Sequence, residues 1–314
     1  MAKPYPFHTL DVFTADRYAG NPLAVVLNAD GMMAETMQAI AAEFGLSETI
    51  FVMAPEVEGH EARVRIFTPV HEMPFAGHPT IGCAVHLAER HWPKGAFDEV
   101  LTLGEEAGPV PVRVRRAKGE KRVRATFTAP VIPRAMDGEF DRAAVAAALG
   151  LAPDDIRADH PIAAHEGGPS FLYVPLASLD ALARARPTEP HWSGAMLRTP
   201  PTPGATAGDS TYCYAPDPEG DPKGDGMTFR ARMFAPAGNI PEDPGTGSAS
   251  AILASQLLAA GTLPEGTTAI RLRQGVEMGR PCEIEVEADV AKGALTAVRV
   301  SGTAVRMMDG QIMA

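Results

Sequence analysis

Two stretches of this chain, 167 residues apart, repeat one another. Residues 65–84 read RIFTPVHEMPFAGHPTIGCA and residues 232–251 read RMFAPAGNIPEDPGTGSASA; without a gap they share Arg, Phe, two prolines and Ala, five positions in all. The pattern says more than the identities. Each copy reads as a strand, a Pro-bounded loop, a Gly-containing turn and a helix of small and apolar residues. A period of this length is far beyond the roughly 20–50 residues of a solenoid unit. It predicts two halves built alike and facing each other, which suits 314 residues at roughly 100–200 per domain. The expected division is a first half over 1–118, completed by a C-terminal strand over 300–314, and a second half over 119–299.

The two repeat helices narrow the fold. Thr80–Ala88 and Ser248–Leu258 carry almost no charge on any face, and a helix apolar or small all round is buried. Gly82, Cys83 and Ala84, like Ala249, Ser250 and Ala251, keep the first turns slim so that strands can pack closely. Each half is therefore expected to be a curled, barrel-like sheet around its own helix, α+β in class. Strands are predicted at 8–14, 23–27, 48–53, 62–67, 171–174, 228–234, 269–272, 283–287 and 297–300, with β-hairpins over 104–127. Helices are predicted over 35–44, stopped by Gly45, and around 142–149. The stretch from Pro187 to Gly226 reads as Pro/Gly-rich surface.

Several function classes fall away. A formal charge of −11 argues against nucleic acid as a partner, since that affinity rests on clustered Lys and Arg. The one basic run, Arg113 to Arg124, alternates with valines around Lys118-Gly119 and reads as a solvated hairpin. Three distant cysteines without a C-x-x-C pair fit a reducing compartment. No secretory leader or membrane-length apolar run is visible, so the expected location is the cytoplasm. There is no H-E-x-x-H or cysteine cluster for a metal, no G-x-S-x-G elbow, no P-loop and no G-x-G-x-x-G after a strand. The expectation is chemistry without metal or cofactor, or binding alone.

A buried helix start presents unpaired N–H groups and the positive end of the helix dipole, a ready place for a carboxylate or phosphate. The repeat supplies two such starts, Gly77-His78-Pro79-Thr80 and Gly245-Thr246-Gly247-Ser248. The alternative reading of each is ordinary capping by Thr80 and Ser248. Glu48 begins the strand Glu48-Thr-Ile-Phe-Val52 on the face shared with Ile50 and Val52. If that face is internal, desolvation raises the carboxyl pKa towards what a general base near neutrality needs; otherwise Glu48 is a solvated strand start. Asp243 and His78 have similarly plain alternatives, a charge complementing the helix dipole and a turn histidine in water.

At these residues the sequence resembles the PhzF-like (phenazine biosynthesis) family, of diaminopimelate-epimerase-like fold. The stretches that carry the resemblance are Asp11-Val-Phe-Thr, Gly20-Asn-Pro-Leu-Ala-Val-Val26, Gly45-Leu-Ser-Glu-Thr49, Arg65-Ile-Phe-Thr-Pro69, Pro74-Phe-Ala-Gly-His-Pro-Thr-Ile-Gly82 and Pro241-Glu-Asp-Pro-Gly-Thr-Gly-Ser-Ala249. Gly245 stands where the family usually has Ala. The resemblance implies two pseudo-symmetric halves with the site between them and an isomerase acting on a small carboxylate-bearing molecule. In it Glu48 is the acid/base, His78 and Asp243 assist, and Gly77, Gly247, Ser248, Asn21 and Ser47 bind substrate. It also implies a homodimer. Related epimerases use one cysteine in each loop; the gapless repeat puts Ala76 and Asp243 there, which argues against a two-thiol mechanism. The rival readings are an amino-acid epimerase or racemase using Glu48 with Asp243 or His78, and a non-catalytic metabolite-binding protein.

Overall fold

A computed structural model describes residues 3–196, 210–220, 227–238 and 240–314. Among them no helix is long and apolar enough to cross a membrane. The chain divides into two compact units, one of Met1–Thr128 with Ser301–Ala314 and one of Ala129–Val300.

The first unit contains β1 (Pro4–Val12), β2 (Asn21–Val26), α1 (Ala34–Phe44), β3 (Glu48–Met53), β4 (Ala62–Phe67), β5 (Glu72–Met73), α2 (Gly77–His91), β6 (Phe97–Glu105), β7 (Gly108–Arg116) and β8 (Arg124–Thr128). Strands β2 and β3, like β4 and β6, pair in parallel; β1 with β2, β3 with β4, β6 with β7 and β7 with β8 are antiparallel. The last strand of the chain, β17 (Ala294–Met313), pairs with both β8 and β1 and so closes the ring. Because β8 is bound to β7 and β17, this unit runs past residue 118 to Thr128.

Helix α2 fills the ring. It contacts β1, β2, β3, β6, β7 and β8, and every residue from Gly77 to Ala88 is buried. Gly82 is what makes the fit possible: a Cβ there would stand 2.5 Å from Leu23 Cδ2 and 2.8 Å from Val12 Cγ2, closer than packed carbons allow. Helix α1 lies on the other side of β3, where Met37, Ile40 and Ala41 pack with Phe51 and Phe67. It ends as expected, with Gly45 in the left-handed region (φ 61°) donating to Ala41 O.

The second unit contains β9 (Arg134–Ala135), α3 (Arg142–Ala148), β10 (Ala163–Glu166), β11 (Ser170–Pro175), α4 (Leu179–Arg184), α5 (His191–Met196), β12 (Thr211–Pro216), β13 (Met227–Ala235), β14 (Ile240–Asp243), α6 (Gly247–Ala259), β15 (Gly266–Gln274) and β16 (Cys282–Ala291). The sheet runs β9–β10–β11–β12–β13–β15–β16, with β11/β12 and β13/β15 parallel. Helix α6 contacts β9, β10, β11 and β16 on the inside, while α3, α4 and α5 cover Leu172, Val174, Cys213 and Ala215 outside. The expected surface stretch Pro187–Gly226 is corrected in part: Thr211–Pro216 is a buried strand, its Tyr and Cys hidden in the sequence by flanking Pro and Gly. Trp192 of α5 and Asp217 are buried as well, and the parts of that expectation at 197–209 and 221–226 lie outside the described residues.

The repeat is visible in three dimensions, with one shift. Arg65 and Arg232 each lie over the ring two residues on, Phe67 at 5.2 Å and Phe234 at 4.9 Å. Each forks onto a carboxylate, Glu72 or Glu242. The strands thus match at an offset of 167 residues. The helices start at Gly77 and Gly247, an offset of 170. The second loop is three residues longer, so the counterpart of Ala76 is Thr246, each the residue preceding its helix, and not Asp243.

Candidate active site

The first unit brings three of the expected residues into contact. Parallel pairing sets Leu23 beside Glu48, and paired residues point to the same face of a sheet. That face is the one Leu23 turns to α2 at Gly82. Asn21 is two residues before Leu23 and therefore shares it. Glu48 and Asn21 thus stand at neighbouring strand starts, both directed at the first turn of α2. His78, the second residue of that helix, meets them: its Nδ1 is 3.4 Å from Glu48 Oε2 and 3.4 Å from Asn21 Nδ2. The condition set on Glu48 by the sequence is met, with a difference. Both faces of β3 are buried, one by α2 and the other, through Thr49 and Phe51, beneath α1.

The site is nearly dry. The His78 side chain is 4% exposed and that of Glu48 15%, while Asn21 is fully buried. Burial pushes the His78 pKa down to about 3, against a smaller opposing effect of a backbone hydrogen bond with Pro22. The ring is therefore neutral at any ordinary pH and carries one N–H. That one N–H cannot serve both Glu48 and the Pro22 carbonyl, and Nδ1 accepts from Asn21 only when it carries no proton. Gly77 opens the helix and is buried; Ser47, half-buried, precedes Glu48 in the turn after α1.

Neither repeat helix is capped by the side chain of its N-cap residue, Ala76 or Thr246. The plain reading in which Thr80 and Ser248 cap their own helices does not hold for Thr80. Its hydroxyl points back to Ala76 O (2.7 Å) and lies 2.6 Å from Glu105 Oε1. In the second unit Asp243 is buried and accepts a hydrogen bond from Thr246 Oγ1 at 2.5 Å. Gln274 secures the same turn: Thr246 N–H donates to its Oε1 (3.0 Å), and its Nε2 donates to Asp243 O (2.8 Å) and Thr246 Oγ1 (2.9 Å). Gly247 is buried and Ser248 half-buried at the start of α6.

Glu105, Gln274 and Thr246 were not singled out from the sequence, although a signal existed. Leu101-x-Leu103-x-Glu105 and Ile270-x-Leu272-x-Gln274 each continue the apolar face of an alternating strand with a polar residue. Such a residue is buried with its neighbours and must find a partner inside.

The chain as a whole resembles known proteins. The sequence profile of phenazine biosynthesis-like proteins (PhzC-PhzF) matches residues 10–310. An uncharacterized isomerase of Mesorhizobium japonicum is 40% identical over 303 residues, covering 96% of both chains. The trans-2,3-dihydro-3-hydroxyanthranilate isomerase of Pseudomonas aeruginosa is 35% identical over 303 residues, 96% of this chain and 97% of that one. Among solved structures, a PhzF-family phenazine biosynthesis protein of Bacillus anthracis superposes with a TM-score of 0.83 at 26% identity, over 99% of this chain and 100% of that one.

Proposed function

This chain belongs to the phenazine biosynthesis-like (PhzC-PhzF) family and is an isomerase, and from that premise we propose that it moves a proton, and with it a double bond, within a small carboxylate-bearing substrate, Glu48 serving as acid and base without a cofactor. The observation that supports this reading is the dry contact of Glu48, His78 and Asn21 at an uncapped helix start. As a carboxylate, Glu48 takes a proton from one carbon. The C–H pair shifts into the adjoining π-system, and the acid form returns the proton to the carbon at its far end. No net charge is made or lost over the cycle. A neutral His78 suits this role: an imidazolium 3.4 Å away would stabilise the carboxylate and weaken it as a base.

Negative charge that grows on the substrate is held by the backbone N–H groups of Gly77 and His78; Gly247 and Ser248 present the corresponding substrate-binding groups at the start of α6. Donors fixed where charge develops are usually the largest catalytic contribution. Asp243, close to Thr246, assists proton handling, and Ser47 and Asn21 help hold the substrate. The experiment is incubation in heavy water, with trans-2,3-dihydro-3-hydroxyanthranilate as the first candidate because relatives are named for it. Proton NMR should show a product with a shifted double bond and deuterium at the new C–H. Scrambled stereochemistry on an unchanged skeleton would mean an epimerase. Binding without exchange across a panel of related acids would mean a metabolite-binding protein.

A further inference from the structure

Strands β6 and β15 end at corresponding places in their halves. Arg63 pairs with Gly104 and Arg230 with Arg273, and Arg63 and Arg230 each precede the repeat arginine by two residues. Glu105 and Gln274 come next on their strands. Both are last in nine-residue strands, and both are buried, at 5% and 0% exposure. Each reaches the first turn of the helix inside its own half. The hydroxyls of the first turns also correspond, Thr80 bonding back to Ala76 O as Ser250 bonds back to Thr246 O, although Gln274 itself holds Thr246 and Asp243 rather than Ser250. We infer that Glu105 is the positioning residue of the first helix start: through the Thr80 hydroxyl it fixes the turn that presents His78, as Gln274 fixes the start of α6.

Proton counting gives the acid form of Glu105 the fuller hydrogen bonding. Thr80 has one hydroxyl proton, and Ala76 O, 2.7 Å away, can only accept it. The hydroxyl can give that proton to Glu105 Oε1, 2.6 Å away, or to Ala76 O, and both contacts are hydrogen bonds at once only when Glu105 is protonated and donates to the Thr80 oxygen. The other oxygen, Oε2, is buried with no partner among the described residues, tolerable for a carbonyl and costly for a charge. The groups facing the carboxyl are Thr80 and Cys83 from α2 and Arg63 from β4, the last already paired with Glu106. Burial pushes its pKa from 4.5 up to about 8, over the weaker downward pulls of Thr80 and Arg63. A neutral Glu has the shape of Gln, which is why the two halves can use different residues for one task.

The catalytic meaning of this role rests on the proposed part played by His78, but its test needs no substrate. Because the folded pKa lies above the unfolded one, Glu105 contributes stability that is complete below about pH 4.5 and lost as pH rises to about 8. Glu105→Gln removes that loss. The melting temperature of the variant minus that of the wild type should widen from pH 5 to 8 and then level. The His78 ring signals in NMR should stay in place in Glu105→Gln. They should move in Thr80→Val, which keeps the shape and deletes the relay, and in the wild type as pH passes 8. A melting difference independent of pH from 5 to 9 would show that Glu105 does not titrate there and overturn the acid form. His78 signals unmoved in Thr80→Val would overturn the positioning role. Both readouts stand if no turnover is ever found, so failure of the isomerase reading is seen separately.

Discussion

Helices α2 and α6 occupy the same place in their halves, yet they are gripped by different chemistry. The strands around α2 offer it aliphatic side chains such as Val12, Leu23 and Ile50, and the polar groups at its start are ionisable: Glu48, His78 and Glu105. Around α6 the grip is mostly through neutral polar groups, with the carboxylate of Asp243 and the ring of His165 among them. Tyr173 donates to Ala249 O, Tyr212 lies 3.1 Å from Ser250, Tyr214 accepts from Gln256, and Gln274 spans the loop from Asp243 to Thr246. Buried hydrogen bonds of this kind fix one geometry and do not titrate. The contrast is one of proportion: aliphatic and ionisable side chains surround the start of α2, while neutral hydrogen bonds hold most of α6 in one geometry.

The strongest way to break this comparison is at Glu48. Glu48→Gln keeps volume and hydrogen-bonding reach but cannot take a proton, so kcat should fall by about 10²–10⁴, the scale of a general base. Melting temperature should hold, since no cavity opens. A folded variant with near-normal turnover would move the protonic work away from the first half.

The next effect is expected at Arg232, which binds its half more tightly than Arg65 binds the other. Besides Glu242 it donates to the carbonyls of Leu182, Ala183 and Ala185, and it is 8% exposed. Arg232→Met strands Glu242 and three carbonyls, at a cost of about 3 kcal/mol or more, read by denaturant unfolding. A third test is steric. At the helix offset, Gly82 of α2 corresponds to Ile252 of α6, both buried. Gly82→Ala should cost about 1–3 kcal/mol as an overpacking change. Because Leu23 is the residue pushed and Glu48 its strand partner, turnover should fall along with stability. Ile252→Val should cost about 0.5–1.5 kcal/mol.

Much of this could be read in advance where one physical rule dominated. The uncharged helices announced their burial, Gly45 its left-handed cap, and the Gly20–Val26 and Gly45–Thr49 stretches the strands that carry Asn21 and Glu48. Three-dimensional pairing stayed hidden. The gapless repeat could not reveal three extra residues in the second loop, because Pro and Gly fit either register. Strand β12 was lost among prolines, and β5 and β14 are too short for alternation to register. Alternation puts Glu105 and Gln274 on the apolar faces of their strands, but only the folded chain shows that they reach Thr80 and Thr246.

The smallest effect expected is at Arg65, and it sharpens the comparison because the residue matches Arg232 in sequence, in its aromatic neighbour and in its forked carboxylate. What differs is water. The Arg65 side chain is 23% exposed and its partner Glu72 29%, against 10% and 16% for Arg232 and Glu242. Both Arg65–Glu72 hydrogen bonds are 2.6 Å long, so geometry alone would rank this pair the stronger. Yet both groups keep more contact with water than the Arg232 pair does, so each is less stranded when the other goes. Arg65→Met also keeps the aliphatic stem over Phe67. The loss should stay below about 1 kcal/mol, as for exposed ion pairs, and shrink further in high salt. Arg232→Met should barely respond to salt, since its pair is shielded by protein. Equal costs for the two variants, or equal salt dependence, would mean that the repeat sequence and not burial sets the strength of these pairs.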